Sequence, residues 1–105
     1  MRIVFFGNHN VGIATLATLA QSADVVGVVA HPVDPEESVR YASLFDFATK
    51  NNLNVIRGKG KDASVLEFTK ALAPDLLWVT DYRYILPSHL FSLSKFGAIN
   101  LHPSL

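Results

Sequence analysis

No cysteine occurs among the 105 residues, which removes disulfides, thiolate nucleophiles and cysteine-ligated zinc together, while leaving the redox compartment open. Net charge is also missing, because nine basic residues balance nine acidic ones. A free-standing nucleic-acid binder depends on a cationic excess that displaces phosphate counterions, so the overall charge lends that class no support and favours a small or neutral partner. Long apolar runs are absent too. Residues 3–6 form an apolar stretch that stops at Gly7, too short for a membrane span or for the apolar part of a signal peptide, so a cytoplasmic protein with no membrane partner is expected. There is no internal repeat, low-complexity tract or domain boundary, and residues 1–105 are read as a single domain unit. Within that frame half of the residues are hydrophobic and 17% charged, a core-rich balance that disorder does not produce.

What is present is an alternation of two periodicities. Residues 2–6 make a compact apolar run before Gly7, and residues 11–21 then place Ile13, Leu16, Ala17 and Ala20 at helical spacing. Residues 24–30 (DVVGVVA) have the valine-rich character of a strand covered on both faces in a parallel sheet. A loop with two prolines and three acids follows, and Ser38 is the expected cap of a helix that runs to Asn51 or Asn52 with Leu44, Phe47 and Ala48 inward. A third strand is expected at 54–56, then a helix capped by Asp62 with Val65, Leu66, Phe68 and Leu72 on one face and ended by Pro74. Residues 76–79 return to the sheet, 87–93 suggest a short helix, and 97–101 (GAINL) one more buried strand. Alternating strands and helices with short loops imply an α/β class: a Rossmann-like, doubly wound, mostly parallel sheet with helices on both faces.

Ligands of such sheets sit outside the carboxyl ends of the strands, near the reversal of strand order. The candidates are therefore Gly7, Asn8 and His9, then His31, Arg57, Asp81 and Tyr82, and finally Asn100 and His102. In an extended segment Asn100 and His102 point to one face, about 6–7 Å apart along the strand. Histidine moves protons near neutral pH and an asparagine amide donates to a nascent oxyanion, a combination suited to acyl transfer to an amine. Strand-end polar residues satisfied by turn backbone are the bland alternative. A three-histidine metal site from His9, His31 and His102 would make the chain a hydrolase, but strand-end positions alone do not supply tetrahedral geometry, and no metal is assigned. His9 is expected in the first helical turn or against the pocket, His31 exposed in a loop before Pro32, and His89 solvated.

Residues 7–12 (GNHNVG) lack the G-x-G-x-x-G spacing, which disfavours a nicotinamide cofactor. Residues 57–61 (RGKGK) lack the P-loop pattern, leaving a flexible, solvated loop or a phosphate contact. Asp81-Tyr82-Arg83-Tyr84 either lines a substrate pocket or shields the edge of the core with its tyrosines.

Three blocks, Met1-Arg2-Ile3-Val4-Phe5-Phe6-Gly7, Leu72-Ala73-Pro74-Asp75-Leu76-Leu77 and Ile99-Asn100-Leu101-His102-Pro103-Ser104-Leu105, resemble in order the folate-dependent formyltransferase family. The likeness covers the whole chain and its last block is the specific one. It implies 10-formyltetrahydrofolate as formyl donor, with Asn100 stabilising the transition state, His102 as acid/base, and Tyr84, Ile85 and Leu86 where the pterin is received. His9, Asp81, Tyr82 and Arg83 resemble the substrate-binding positions of the sugar-nucleotide branch more than those of the methionyl-tRNA branch. A small-molecule amine on a sugar nucleotide is thus the first expectation and tRNA the alternative. Family members continue with a Leu-Pro-x-Tyr-Arg-Gly-like loop, further strands and an aspartate that pairs with the histidine. The resemblance therefore implies the N-terminal portion of a formyltransferase domain, truncated before the domain's end. This 105-residue form is expected to be inactive, with an edge open to self-association. A non-catalytic folate- or nucleotide-binding module is the reading from a different class.

Overall fold

A computed structural model describes residues 1–35 and 42–101. Among the described residues nine elements alternate: β1 (Arg2–Gly7), α1 (His9–Leu19), β2 (Asp24–Ala30), α2 (Leu44–Lys50), β3 (Val55–Arg57), α3 (Ala63–Leu72), β4 (Leu76–Thr80), α4 (Ser88–Phe91) and β5 (Ala98–Leu101). All four strand pairings are parallel, in the order β3-β2-β1-β4-β5. Order reverses between β1 and β4, so the doubly wound reading of the sequence holds and the crevice it predicts opens between those two strands.

The strands β1, β2 and β4 are apolar on both sides because both sides are covered. Phe5, Val28 and Ala30 meet Leu16, Leu44 and Ala48 beneath α1 and α2. Val4, Phe6, Val29, Leu77 and Val79 meet Val65 and Leu90 beneath α3 and α4. Adjacent Phe5 and Phe6 are both fully buried, one in each layer. β1 is the shared wall of two cores.

Local chemistry sets the element ends. Ser43 caps α2, its hydroxyl accepting from the Asp46 N–H at 3.1 Å, with Asp46 in the first turn and Lys50 in the last to complement the helix dipole. That cap replaces the expected one: Ala42 and Ser43 are not helical, and Ser38 lies outside the described residues. α1 starts at His9, two residues before the apolar periodicity begins, because periodicity reports the buried stripe and not the first turn. Asp62 stands at the N-cap of α3 as expected, but its carboxylate accepts from the Lys59 N–H at 2.8 Å and ties down the preceding loop.

The first two family-like blocks touch. The Arg2 guanidinium donates to the Leu72 carbonyl at the end of α3, where a cation is favoured. The Arg2 N–H donates to the Asp75 carboxylate and the Asp75 N–H to the Arg2 carbonyl, each at 2.8 Å. These bonds join the end of α3 to the starts of β1 and β4.

β5 differs from its expectation as a buried strand: all four of its residues are exposed. Among the described residues it is the sheet's edge, paired only to β4, and Ile99 and Leu101 remain 39% and 45% accessible. Apolar sequence identifies a strand, but coverage depends on what packs over it.

Candidate active site

The registers align one residue from each strand across the sheet: Arg57, Ala30, Gly7, Thr80 and Leu101 stand level. The residues that follow form the carboxyl rim, which holds most of the candidates. At the switch point two of them adopt left-handed backbone: His9 (φ 51°) after β1 and Asp81 (φ 54°) after β4. Few residue types tolerate this region; histidine and aspartate are among them, and such conformations concentrate where a site dictates the backbone.

His31 is the hub of the rim. Only 7% of it is accessible, and its Nε2 accepts the Arg83 N–H at 2.9 Å. Its ring meets those of Tyr82 and Tyr84 edge-on, each at 4.9 Å, and lies 6.3 Å from the His9 ring. Burial, with Arg83 and His9 adding to it, pushes its pKa down to about 4. The ring is therefore neutral at pH 7, and its Nε2 acceptor requires the proton on Nδ1. The expectation of an exposed loop histidine is overturned. A β-bulge decides which face the ring takes: Val26 has no partner on β1, since Ile3 pairs with Val25 and Val4 with Gly27. Strict alternation from Val25 would put residue 31 on the α1–α2 face, but the extra residue turns its ring toward Tyr82 and Tyr84. Gly27, inside an otherwise valine-rich strand, is the sequence signal that could have found it.

Tyr82 and Tyr84 divide the two roles proposed for their segment. Tyr82 shields the core, its ring 5.4 Å from Phe6 and its hydroxyl donating to the Gly58 carbonyl at 2.6 Å. Burial, then Asp62 and Tyr84, push that phenol above its ordinary pKa, so it stays a donor. Tyr84 lines a cleft of about 180 Å³ together with Asn8, His9, His31, Phe45, Arg57 and Arg83. The 57–61 loop is not simply solvated: Gly58 and Gly60 are buried. A Cβ on Gly60 would stand 2.5 Å from the Ile85 carbonyl oxygen, so only glycine lets this loop lie against residues 85–86.

Of the remaining candidates, Leu86 is buried in the α3–α4 core while Ile85 is 88% accessible. Asn100 aligns with Val79 and so lies on the α3–α4 face near the end of β5. His102 lies outside the described residues. Among the described residues no cluster of three or more His, Asp or Glu is placed to hold a metal ion, and none of their helices is long and apolar enough to cross a membrane.

The model of the formyl transferase family matches residues 1–105, the entire chain. The chain belongs to the formyl transferase family. Methionyl-tRNA formyltransferases from Acetivibrio thermocellus, Borrelia hermsii and Fusobacterium nucleatum are 33%, 32% and 28% identical to it across its whole length. The chain spans about a third, 35%, of each of those proteins. These formyl transferases carry the name of the branch ranked second from sequence, and they give no support to the sugar-nucleotide preference drawn from His9 and Asp81-Tyr82-Arg83-Tyr84. The formyl transferase resemblance itself, and the α/β fold it implied, stand.

Proposed function

We propose that this chain forms the donor side of an N-formyltransferase site that moves the formyl group of 10-formyltetrahydrofolate to a primary amine, the amine being that of methionyl-tRNA. The observation that carries the reading is Asn100 near the carboxyl end of β5, in a chain that matches the formyl transferase family from end to end. The names of the relatives favour the tRNA-borne amine over an amino-sugar nucleotide.

In this reading the Asn100 amide donates to the oxyanion that develops as the amine attacks the formyl carbon, an interaction that strengthens only as charge builds. His102, two residues on, accepts the proton released by the amine as the new C–N bond forms, and a proton reaches the folate nitrogen as the old bond breaks. Residues 84–86 receive the pterin. Their fit rests on the backbone of Ile85, held against Gly60, and on an exposed Ile85 side chain that a flat heterocycle would cover.

Formyl transfer is measured with the full-length gene product, 10-formyltetrahydrofolate and either methionyl-tRNA or a uridine-linked amino sugar. Asn100→Ala is expected to lower kcat on methionyl-tRNA by roughly 10²–10³-fold, and His102→Ala by roughly 10²–10⁴-fold. Unchanged turnover in both variants would remove these roles, and turnover of the amino sugar alone would return the substrate to the other branch.

A further inference from the structure

The cleft lined by Tyr84 extends over the ends of β1, β2 and β3 to the start of α2, and beyond Tyr84 the formyl-transfer chemistry makes no use of it. We propose that it is an anion subsite in which Arg57 and Arg83 hold a phosphate of the substrate's nucleotide portion. It rests on the proposed reading for the place of the amine; the binding site itself does not need that reading.

Arg57 is pre-positioned. Its guanidinium lies over the Phe45 ring at 4.5 Å and its Nη1 donates to the His31 carbonyl at 3.1 Å. A guanidinium held through one donor keeps others for a ligand, and its planar fork suits phosphate oxygens. Arg83 is fixed differently: its backbone N–H is tied to His31, while its exposed side chain makes no hydrogen bond or ion pair to another described residue. Lys59 adds a third cation nearby, its Nζ 5.6 Å from the Tyr84 ring centre. The carboxylate in the same wall, Asp34, has an interaction of its own. Burial lowers the His31 pKa most, and Arg83 and His9 lower it further, so the rim adds a positive field inside a chain of zero net charge. The aggregate charge therefore hides a local one.

Position narrows the source of the phosphate. Arg83 follows β4, the strand next to β5, whereas the Arg57 end of the cleft, beyond β3, and β5 with its Asn100 are separated by four strand spacings, about 19 Å. That span outreaches a diphosphate joined directly to an amino sugar. It suits a phosphodiester one or two nucleotides back from an aminoacylated 3′ end.

The test is an amide-resolved NMR titration without folate, using inorganic phosphate, uridine diphosphate and the trinucleotide CpCpA as separate probes. CpCpA is expected to shift the amides of Asn8, His31, Arg57 and Arg83. Arg83→Ala should raise its Kd about tenfold with the melting temperature unchanged, as expected when an exposed guanidinium–phosphate contact is removed. Arg57→Lys, which keeps the charge and loses the fork, should weaken binding less. Lys70→Ala, in the last turn of α3, should leave it unchanged. Shifts of the same amides by uridine diphosphate but not by CpCpA would uphold the phosphate subsite and make its source a sugar nucleotide. No response to any of the three probes, or Arg83→Ala binding as tightly as the unsubstituted protein, overturns the proposal. CpCpA binding beside absent formyl transfer would instead count against the proposed activity alone.

Discussion

A neutral histidine joins two strand ends. The Nε2 of His31 must carry a lone pair to accept the Arg83 N–H, so its protonation and that bond exclude each other. The folded-state pKa, about 4, lies below the ordinary value of 6.5, which means that the unfolded chain takes up the proton first as pH falls. The contribution is complete above pH 6.5 and is lost progressively between about 6.5 and 4. Solvent screening at the open rim keeps its size below the ~3 kcal/mol that the shift alone would give. Replacing His31 by Gln keeps an acceptor that does not ionise in this range. Urea unfolding of His31→Gln at pH 7 and pH 4.5 should show a smaller loss of stability on acidification than the unsubstituted protein shows. Equal losses would mean that other groups carry the pH dependence.

Among the elements α3 is the one whose sequence is least matched to its surroundings. Its C-cap Ala73 sits in left-handed backbone at φ 46°, where glycine is the usual occupant. The strain is about 1–2 kcal/mol, offset by the roughly 0.5–1 kcal/mol that glycine's greater freedom costs, so Ala73→Gly should stabilise by about 0.5–1 kcal/mol. One turn earlier, Thr69 is fully buried and its Oγ1 has no hydrogen-bond partner among the described residues. Thr69→Val removes the orphaned oxygen while keeping the shape, and a gain of roughly 1 kcal/mol is expected. Denaturant midpoints of the two variants and of their combination check both effects. No increase for Thr69→Val would indicate that the hydroxyl is satisfied in solution.

At the scale of the whole molecule the two cores depend on one strand. Phe5 and Phe6 are neighbours in sequence but belong to opposite layers, so truncating either hollows a different core. Each Phe→Ala change is expected to cost about 3–5 kcal/mol. Their sum approaches the total stability of about 5–15 kcal/mol usual for a domain of this size. Calorimetry should find each single variant folded with a lowered midpoint, and the double variant without a cooperative transition at 25 °C. A double variant that melts cooperatively would mean that the cavities collapse and that the layers are less independent than the packing indicates.

Much of this was legible along the chain, because β-strand and helix periodicities are local properties. The valine-rich run identified β2 to the residue, Asp62 and Pro74 bracketed α3, and alternation alone implied the doubly wound sheet whose carboxyl rim collects the candidates. The terminal Asn100-x-His102 motif pointed to the formyl transferase family that the whole-chain match shows. Three things depended on tertiary structure. An unpaired Val26 moved His31 from the α1–α2 face to the side of Tyr82 and Tyr84, since one extra residue reverses every later side chain. Gly58 and Gly60 became a seat for the 82–86 segment only when β3 and β4 brought the loops together. Arg57 and Arg83, 26 positions apart, came to share a cleft in a chain with no net charge, because composition sums charges that folding separates in space.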